Sequence, residues 1–320
     1  MTVMVTGGAG YIGSHVVRLL ERCGDDVVIL DDLSNGFSSR AGRLPLVDID
    51  LCSAEAQNQI ADVIQRYGVD SVIHFAAKKQ VGESVERPLW YYRQNVTGLG
   101  NLLQAVGQCG VAKVVFSSSA AAYGMPDIPV VGEDVPCRPI NPYGETKLIG
   151  EWMLRNAARA TGLRTVSLRY FNVAGAGWPD LADKAALNLI PIVINRLTEG
   201  KNPVVFGDTY DTPDGTCVRD YVHVVDLAEA HIKALDFLDS DACAPSVFNV
   251  GTGTGASVLE VIDSIGQVSG LNVIPDISAA RPGDPAQLVA DVSRIEAELG
   301  WKAQYGLPEI VESAWAAQAL

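Results

Sequence analysis

The feature that most constrains this chain is a glycine-spaced turn near its start. Thr6-Gly7-Gly8-Ala9-Gly10-Tyr11-Ile12-Gly13 follows a short β-branched run at residues 3–5 and opens a stretch of helical periodicity at residues 12–22. A turn that joins strand to helix this tightly needs backbone where side chains would collide, hence glycine. The first half of the chain then repeats the alternation. Short runs rich in Val and Ile at 27–30, 71–75, 114–116 and 166–168 read as strands covered on both faces. Helices are expected between them over 54–67, 88–109 and 142–161, with Pro88 and Pro142 suited to a first helical turn and Asn141 to an N-cap. This order implies an α/β fold, a doubly wound parallel (Rossmann) sheet with right-handed crossovers.

After about residue 171 the rhythm changes, and loops at 174–183, 207–215 and 280–285 become rich in Gly, Pro and Asp. Helices are expected over 225–238 and 257–269, the second opened by a capping box of Ser257 and Glu260. The expected division is residues 1–171, with a return of about 218–238, and a smaller C-terminal α/β substrate lobe over 172–320.

Composition limits the partners. With 320 residues, 48% hydrophobic and 19% charged, the chain has ample core and no disorder signature. Its net charge of -14 opposes binding to nucleic acid or to an anionic membrane surface. An anionic ligand must then be held by a few aimed cations or backbone amides. No run of about 18 apolar residues suggests a membrane span, and the N-terminus lacks the basic segment of a signal peptide. Cysteines 23, 52, 109, 137, 217 and 243 form no C-x-x-C pair, so reduced thiols in a cytoplasmic setting are expected. Histidines 15, 74, 223 and 231 show no metal-ligand spacing, so structural roles and no metal are expected.

The glycine turn has a chemical reading. Gly7 permits the bend, Gly10 lets a pyrophosphate approach the backbone, and Gly13 lets the helix pack on the sheet. The helix N-terminus offers amides and a positive dipole to phosphate. Asp31 ends the second strand 18 residues after Gly13. It is placed for adenosine ribose hydroxyls and would repel a 2′-phosphate, which favours NAD over NADP. Asp32 reads as solvated; Asp50 and Leu51 could flank the adenine, although Asp50 alone would read as a loop acid.

A second constellation sits further on. Tyr143 and Lys147 are four apart at a helix start, hence on one face. A tyrosine titrates near 10, so the lysine cation and an oxidised nicotinamide are expected to favour the phenolate and make a base for a sugar hydroxyl. Ser119 ends a strand run, where such folds bind ligands, and can relay the proton. No G-x-S-x-G surrounds it, which argues against a serine hydrolase.

Together these residues resemble the extended short-chain dehydrogenase/reductase family. The matching runs are 5–15, 72–77, 81–85, 116–120, 141–147, 168–172, 215–224 and 281–285. Val81-Gly82-Glu83-Ser84-Val85 and Val218-Arg219-Asp220-Tyr221-Val222-His223-Val224 point to its nucleotide-sugar epimerase branch. The resemblance implies NAD as cofactor, a UDP-sugar as substrate, and interconversion of UDP-glucose and UDP-galactose by oxidation and re-reduction at C4. It implies Tyr11 and Ile12 along the pyrophosphate, Asp31 and Asn35 near the adenosine, and Asp50 and Leu51 at the adenine. It places Phe75, Ala76 and Lys79 on the inner cofactor face, Asn95 as a polar support, and Phe171 near the nicotinamide. Ser119, Tyr143 and Lys147 would be catalytic. Asn172, Asn188 and Leu189 would reach the substrate diphosphate, with Arg219 and Arg281 pairing its oxygens. Val204 to Phe206 would hold the uracil, and Asp284 would lie on the ribose side.

Two departures bear on the substrate. Ala121 stands where many relatives have threonine. Leu288 stands where a larger tyrosine often restricts the site, so N-acetylhexosamine substrates are a further expectation. A dehydratase of this branch would carry an Asp-Glu pair after the strand-end serine, where this chain has Ala120-Ala121-Ala122. A uronic-acid enzyme would need a cation for the substrate carboxylate, and the sequence places none. A non-catalytic NAD-sensing protein could dispense with Tyr143 and Lys147, and both are kept. Family resemblance also implies a homodimer joined through the helices at 88–109 and 142–161.

Overall fold

Strand Thr2–Thr6 lies inside a seven-stranded sheet of order Ser246–Val250, Arg164–Tyr170, Lys113–Ser119, Ser71–His74, Thr2–Thr6, Asp26–Asp31, Leu46–Asp48. The computed structural model describes residues 1–185, 187–240, 246–281 and 283–318; Cys243, and Pro282 of the 281–285 run, lie outside them. The four pairings from Lys113–Ser119 across to Leu46–Asp48 are parallel, and Val3 stands opposite both Val27 and Ser71. The chain runs outward from Thr2–Thr6 on one side and then returns to build the other. A reversal of this kind opens a crevice at the carboxyl ends of the strands. Val3, Met4 and Val5 have no exposed surface, which is why the run is apolar without alternation. One core face joins Met4, Val28, Val72 and Val114 of the sheet to Ile60 and Leu102 of helices Ala56–Tyr67 and Gly98–Cys109.

The helix expected over 88–109 is broken. Pro88–Tyr91 is followed by a looser π-wound segment, Tyr92–Thr97, and then by Gly98–Cys109. A π turn shifts the phase of the helix, and buried Asn95 lies within it. Val81–Glu86 forms a separate short helix that periodicity does not reveal. Other expected helices match closely: Tyr11–Cys23, Ala56–Tyr67, Pro142–Thr161 and Val224–Phe237. Ser257 caps Val258–Ser269 with both capping-box bonds present.

The chain divides into two compact units. One comprises Met1–Gly124, Cys137–Arg169 and Ala228–Phe248; the other comprises Met125–Pro136, Tyr170–Leu227 and Asn249–Leu320. These boundaries differ from the expected ones: Met125–Pro136 leaves the first unit, and the return to it is Ala228–Phe248 rather than about 218–238. Val130–Val131 pairs with Gln287–Ala290 and so draws Met125–Pro136 into the second unit. Strand Val218–His223 also stays there, because it pairs with Gly255–Ser257, Gln287–Ala290 and Asn172–Ala174. Helices Leu189–Thr198, Ser293–Leu299 and Leu307–Gln318 add to this unit without a clear signal in the sequence. Asp220, fully buried, accepts from the backbone N–H groups of Thr252, Gly253 and Ala290 and from the Thr252 hydroxyl. Those donors compensate a carboxylate that burial alone would neutralise. Among the described residues no helix is long and apolar enough to cross a membrane.

A buried ion pair ties Pro142–Thr161 to the sheet. Arg169 donates from Nε to Glu151 Oε1 at 2.8 Å and from Nη2 to Oε2 at 2.6 Å, and the Ser118 hydroxyl donates to Oε1 at 2.5 Å. Removing one partner strands the other charge, at about 3–5 kcal/mol. Glu151→Gln should therefore lower the urea unfolding midpoint strongly, and Glu151→Leu with Arg169→Met should recover most of the loss. A single variant as stable as the parent would contradict this.

Candidate active site

The glycine turn is built for close approach. At Gly7, φ is 71° and a Cβ would lie 2.7 Å from the backbone nitrogen of Ala76. At Gly13 a Cβ would lie 2.3 Å from the carbonyl oxygen of Gly7, so helix Tyr11–Cys23 could not seat on the turn. Gly10 differs. A Cβ there meets only the Gly7 carbonyl oxygen, at 3.1 Å, so protein packing asks less of this position than of Gly7 or Gly13. Gly10 is also the N-cap of the helix, with no side-chain cap and no acid in the first turn. A helix start without a side-chain cap suits phosphate.

Asp31 is nearly buried and does two things. Its Oδ2 accepts from the Ala9 N–H and its Oδ1 from the Leu33 N–H, both at 2.9 Å. Burial pushes its carboxyl up and those two bonds pull it down. Each oxygen keeps a lone pair for a further donor. Leu33 takes a left-handed φ of 52° in this turn. Asp32, expected to be solvated, is instead paired with Lys78, which the sequence reading passed over. Asn35, Asp50 and Lys79 are exposed, and Leu51 is buried. Tyr11 is buried, Ile12 is half-buried, and Ala76 and Phe75 are half-buried, with the Phe75 ring 4.6 Å from that of His231. Asn95 makes three protein hydrogen bonds: its amide donates to the Lys78 carbonyl and Thr146 hydroxyl, and its oxygen accepts from the Lys78 N–H. His15, His74 and His223 also have protein partners.

Ser119, Tyr143 and Lys147 come together. Pro142–Thr161 starts at Asn141, whose side chain accepts from the Gly144 N–H at 2.9 Å. A Cβ at 144 would lie 2.5 Å from the Ala121 carbonyl oxygen, so glycine there lets the helix start approach the end of Lys113–Ser119. The Ser119 oxygen accepts from the Ala121 N–H at 3.2 Å, and its hydroxyl is hydrogen-bonded to the Tyr143 phenol. Lys147 donates to the Ser117 carbonyl at 2.7 Å and stands 5.8 Å from the centre of the Tyr143 ring. Thr146 donates to the Tyr143 carbonyl at 2.8 Å.

The electrostatics depart from expectation. Burial raises the Tyr143 phenol, and the Ser119 bond only opposes the rise. Lys147 is pushed down to about 7, chiefly by burial, with Glu151 pulling the other way. The expected depression of the phenol by a fixed lysine cation is therefore absent from the protein alone, because both groups are out of water. His74, stacked on Phe116 and held by the Thr6 hydroxyl, is pushed down to about 3 by burial, then by Lys147.

The second unit gathers most of the remaining expected residues. Val204–Phe206 pairs in parallel with Asp276–Ser278. The Arg281 guanidinium lies 3.8 Å from the centre of the Phe206 ring. Gly207 is left-handed at φ 85°, and a Cβ there would strike the Tyr210 ring and Ala280. Arg219 pairs with Asp284 at 3.7 Å and stands opposite Leu288 in register. Asn188 is the exposed N-cap of Leu189–Thr198 and makes no cap bond with its side chain. Asn172 is exposed opposite Tyr221, and Phe171 is buried.

A doubly wound sheet whose strand ends carry a glycine turn, a buried acid and a Ser-Tyr-Lys group defines a dinucleotide-dependent oxidoreductase fold class. The chain matches the NAD dependent epimerase/dehydratase family over residues 3–251. It is 48% identical to the UDP-glucose 4-epimerase of Azospirillum brasilense, over 98% of this chain and 90% of that one. The UDP-glucose 4-epimerase of Brucella ovis, solved in complex with NAD, superposes with a TM-score of 0.93 at 43% identity, covering 98% of this chain and 97% of the other. The UDP-Glc/GlcNAc 4-epimerase of Campylobacter jejuni gives 0.87 at 39% identity, with 99% of each chain covered. The chain belongs to the NAD dependent epimerase/dehydratase family.

The Lys147 shift has a measurable sign. Between about 7 and its ordinary 10.5 the unfolded chain holds a proton that the folded chain does not, so this group adds stability as pH rises. Relative to Lys147→Met, the parent's unfolding free energy should gain about 2 kcal/mol from pH 7 to pH 9. Parallel curves from urea titrations would contradict a desolvated amine.

Proposed function

We propose that the protein interconverts UDP-glucose and UDP-galactose, with NAD held on the glycine turn and the nucleotide sugar held by the second unit. The observation that carries the chemistry is the Ser119 hydroxyl bonded to the Tyr143 phenol, with Lys147 one helical turn on. The residues fit the cofactor: a helix start without a side-chain cap would receive its phosphates, Gly10 carries no side chain to block them, and Asp31 would offer acceptors to ribose hydroxyls. Bound NAD supplies a hydride acceptor that returns what it takes and, when oxidised, a positive charge that favours phenolate. Tyr143 takes the proton from the C4 hydroxyl and later returns it, and Ser119 holds that hydroxyl in line. Lys147, anchored on the Ser117 carbonyl and one helical turn on from the phenol, is read as part of both the catalytic group and the cofactor site. Asn35, Asp50, Leu51, Phe75, Ala76, Lys79 and Phe171 complete the proposed cofactor site.

For the substrate, Arg219 and Arg281 carry the charge that an acidic chain must aim at a diphosphate. Asn172, Asn188 and Leu189 assist, Val204 and Phe206 take the uracil, and Asp284 takes the ribose. Firm hold on the diphosphate and a loose grip on the hexose let the 4-keto ring present either face. Leu288, half-buried opposite Arg219, favours a second substrate class, the N-acetylhexosamine pair. The protein is read as a cytoplasmic homodimer; its five described cysteines are free thiols.

Three measurements follow. NAD-saturated protein given UDP-galactose should form UDP-glucose, and Tyr143→Phe should lower kcat by orders of magnitude with UDP affinity little changed. A near-normal rate in that variant would remove Tyr143 as the base. UDP-N-acetylglucosamine should also turn over; failure beside good turnover of UDP-galactose would end the second reading. Sedimentation should give twice the chain mass, and the mass of a single chain would contradict the dimer.

A further inference from the structure

The Lys78 ammonium has two protein partners close to the glycine turn, Asp32 and Ser34. In the sheet, Thr2–Thr6 lies between Asp26–Asp31 and Ser71–His74. The loops that follow those two neighbours therefore flank the glycine turn, about 10 Å apart at two strand spacings. Lys78 spans that gap. Its ammonium lies 3.4 Å from Asp32 Oδ2 and donates to the Ser34 hydroxyl oxygen at 2.5 Å.

Both ends of the bridge are anchored. The Lys78 N–H donates to Asn95 Oδ1 at 2.8 Å, and its carbonyl accepts from Asn95 Nδ2 at 2.9 Å. Asn95 is only 6% exposed, so this clamp is built into the core. On the other side, Asp32 Oδ1 accepts from the Ser34 N–H and hydroxyl, which leaves Oδ2 for the ammonium. The Lys78 side chain is 12% exposed and that of Asp32 31%, so the pair is partly shielded from solvent.

We propose that Lys78, Asp32 and Ser34 form a strap across the mouth of the dinucleotide groove that slows release of the cofactor. The inference rests on the reading that NAD lies on the glycine turn. A dinucleotide there must pass the strap to leave, and the strap must open for it to do so. A reaction without net redox change gains from such a device, because cofactor lost in its reduced form leaves the enzyme idle.

The test is the release rate of NAD from loaded protein, followed by the change in protein fluorescence on dilution into a NAD scavenger. Lys78→Met should release NAD about five-fold faster, the scale of a partly shielded ion pair. Lys78→Arg should stay near the parent. Asp32→Asn, which keeps the Ser34 turn, should also speed release, and the Lys78→Met/Asp32→Asn double variant should be no faster than either single one. Raising ionic strength should speed release from the parent and leave Lys78→Met unchanged. Normal NAD binding with release unaltered in both single variants would overturn the strap alone. A parent protein that binds no NAD would overturn the functional reading beneath it.

Discussion

Two helical glycines decide where the chemistry sits. In Pro142–Thr161, a Cβ at position 144 would meet the Ala121 carbonyl at 2.5 Å, and one at 150 would meet the Phe116 ring at 2.5 Å. Glycine inside a helix costs roughly 1 kcal/mol against alanine. That cost is offset by bringing the helix backbone hard against the end of Lys113–Ser119. Only at that separation can Tyr143 meet Ser119, and Lys147 reach the Ser117 carbonyl. The Arg169–Glu151–Ser118 cluster then locks the next turn of the same helix to the sheet.

The acidic composition shapes how cations are used. The chain has 24 basic residues against 38 acidic ones. Most of the cations near the sites are held by a specific local group: Lys147 by a carbonyl, Lys78 by Asp32, Arg219 by Asp284, and Arg281 over Phe206. Holding each one reduces its freedom before any ligand arrives, which lowers the ordering cost of binding. Lys79, expected on the cofactor face, is exposed and is the exception.

Burial accounts for the main surprises. Tyr143 and Lys147 were legible as a pair from their spacing, but not the direction of their titration. Spacing along a helix shows that two groups are neighbours and says nothing about how much water they lose. Asp32 followed Asp31 in sequence and looked like a solvated companion, because its partner lies 46 residues away on another strand loop. The same reason hid the partners of Asn95: the helical pattern of 88–109 continued through it, whereas the chain has a π segment there and buries the side chain against Lys78 and Thr146.

What the sequence determined by itself is local and periodic. The β-branched runs, the turn glycines, the proline and asparagine at a helix start, and the Ser257–Glu260 capping box each act within a few residues. They therefore specified five of the seven strands of the first sheet, its parallel order and the candidate catalytic trio; Leu46–Asp48 and Ser246–Val250 were not among the expected strands. Tertiary structure alone decided which polar groups became partners, which carboxyls and amines lost their water, and which short strands joined the second unit. Strands of three or four residues such as Val204–Phe206 and Gln287–Ala290 are stable only through neighbours far away in the chain. Their pairing depends on contacts that no local pattern records, and the same holds for the desolvation that sets the charge at the site.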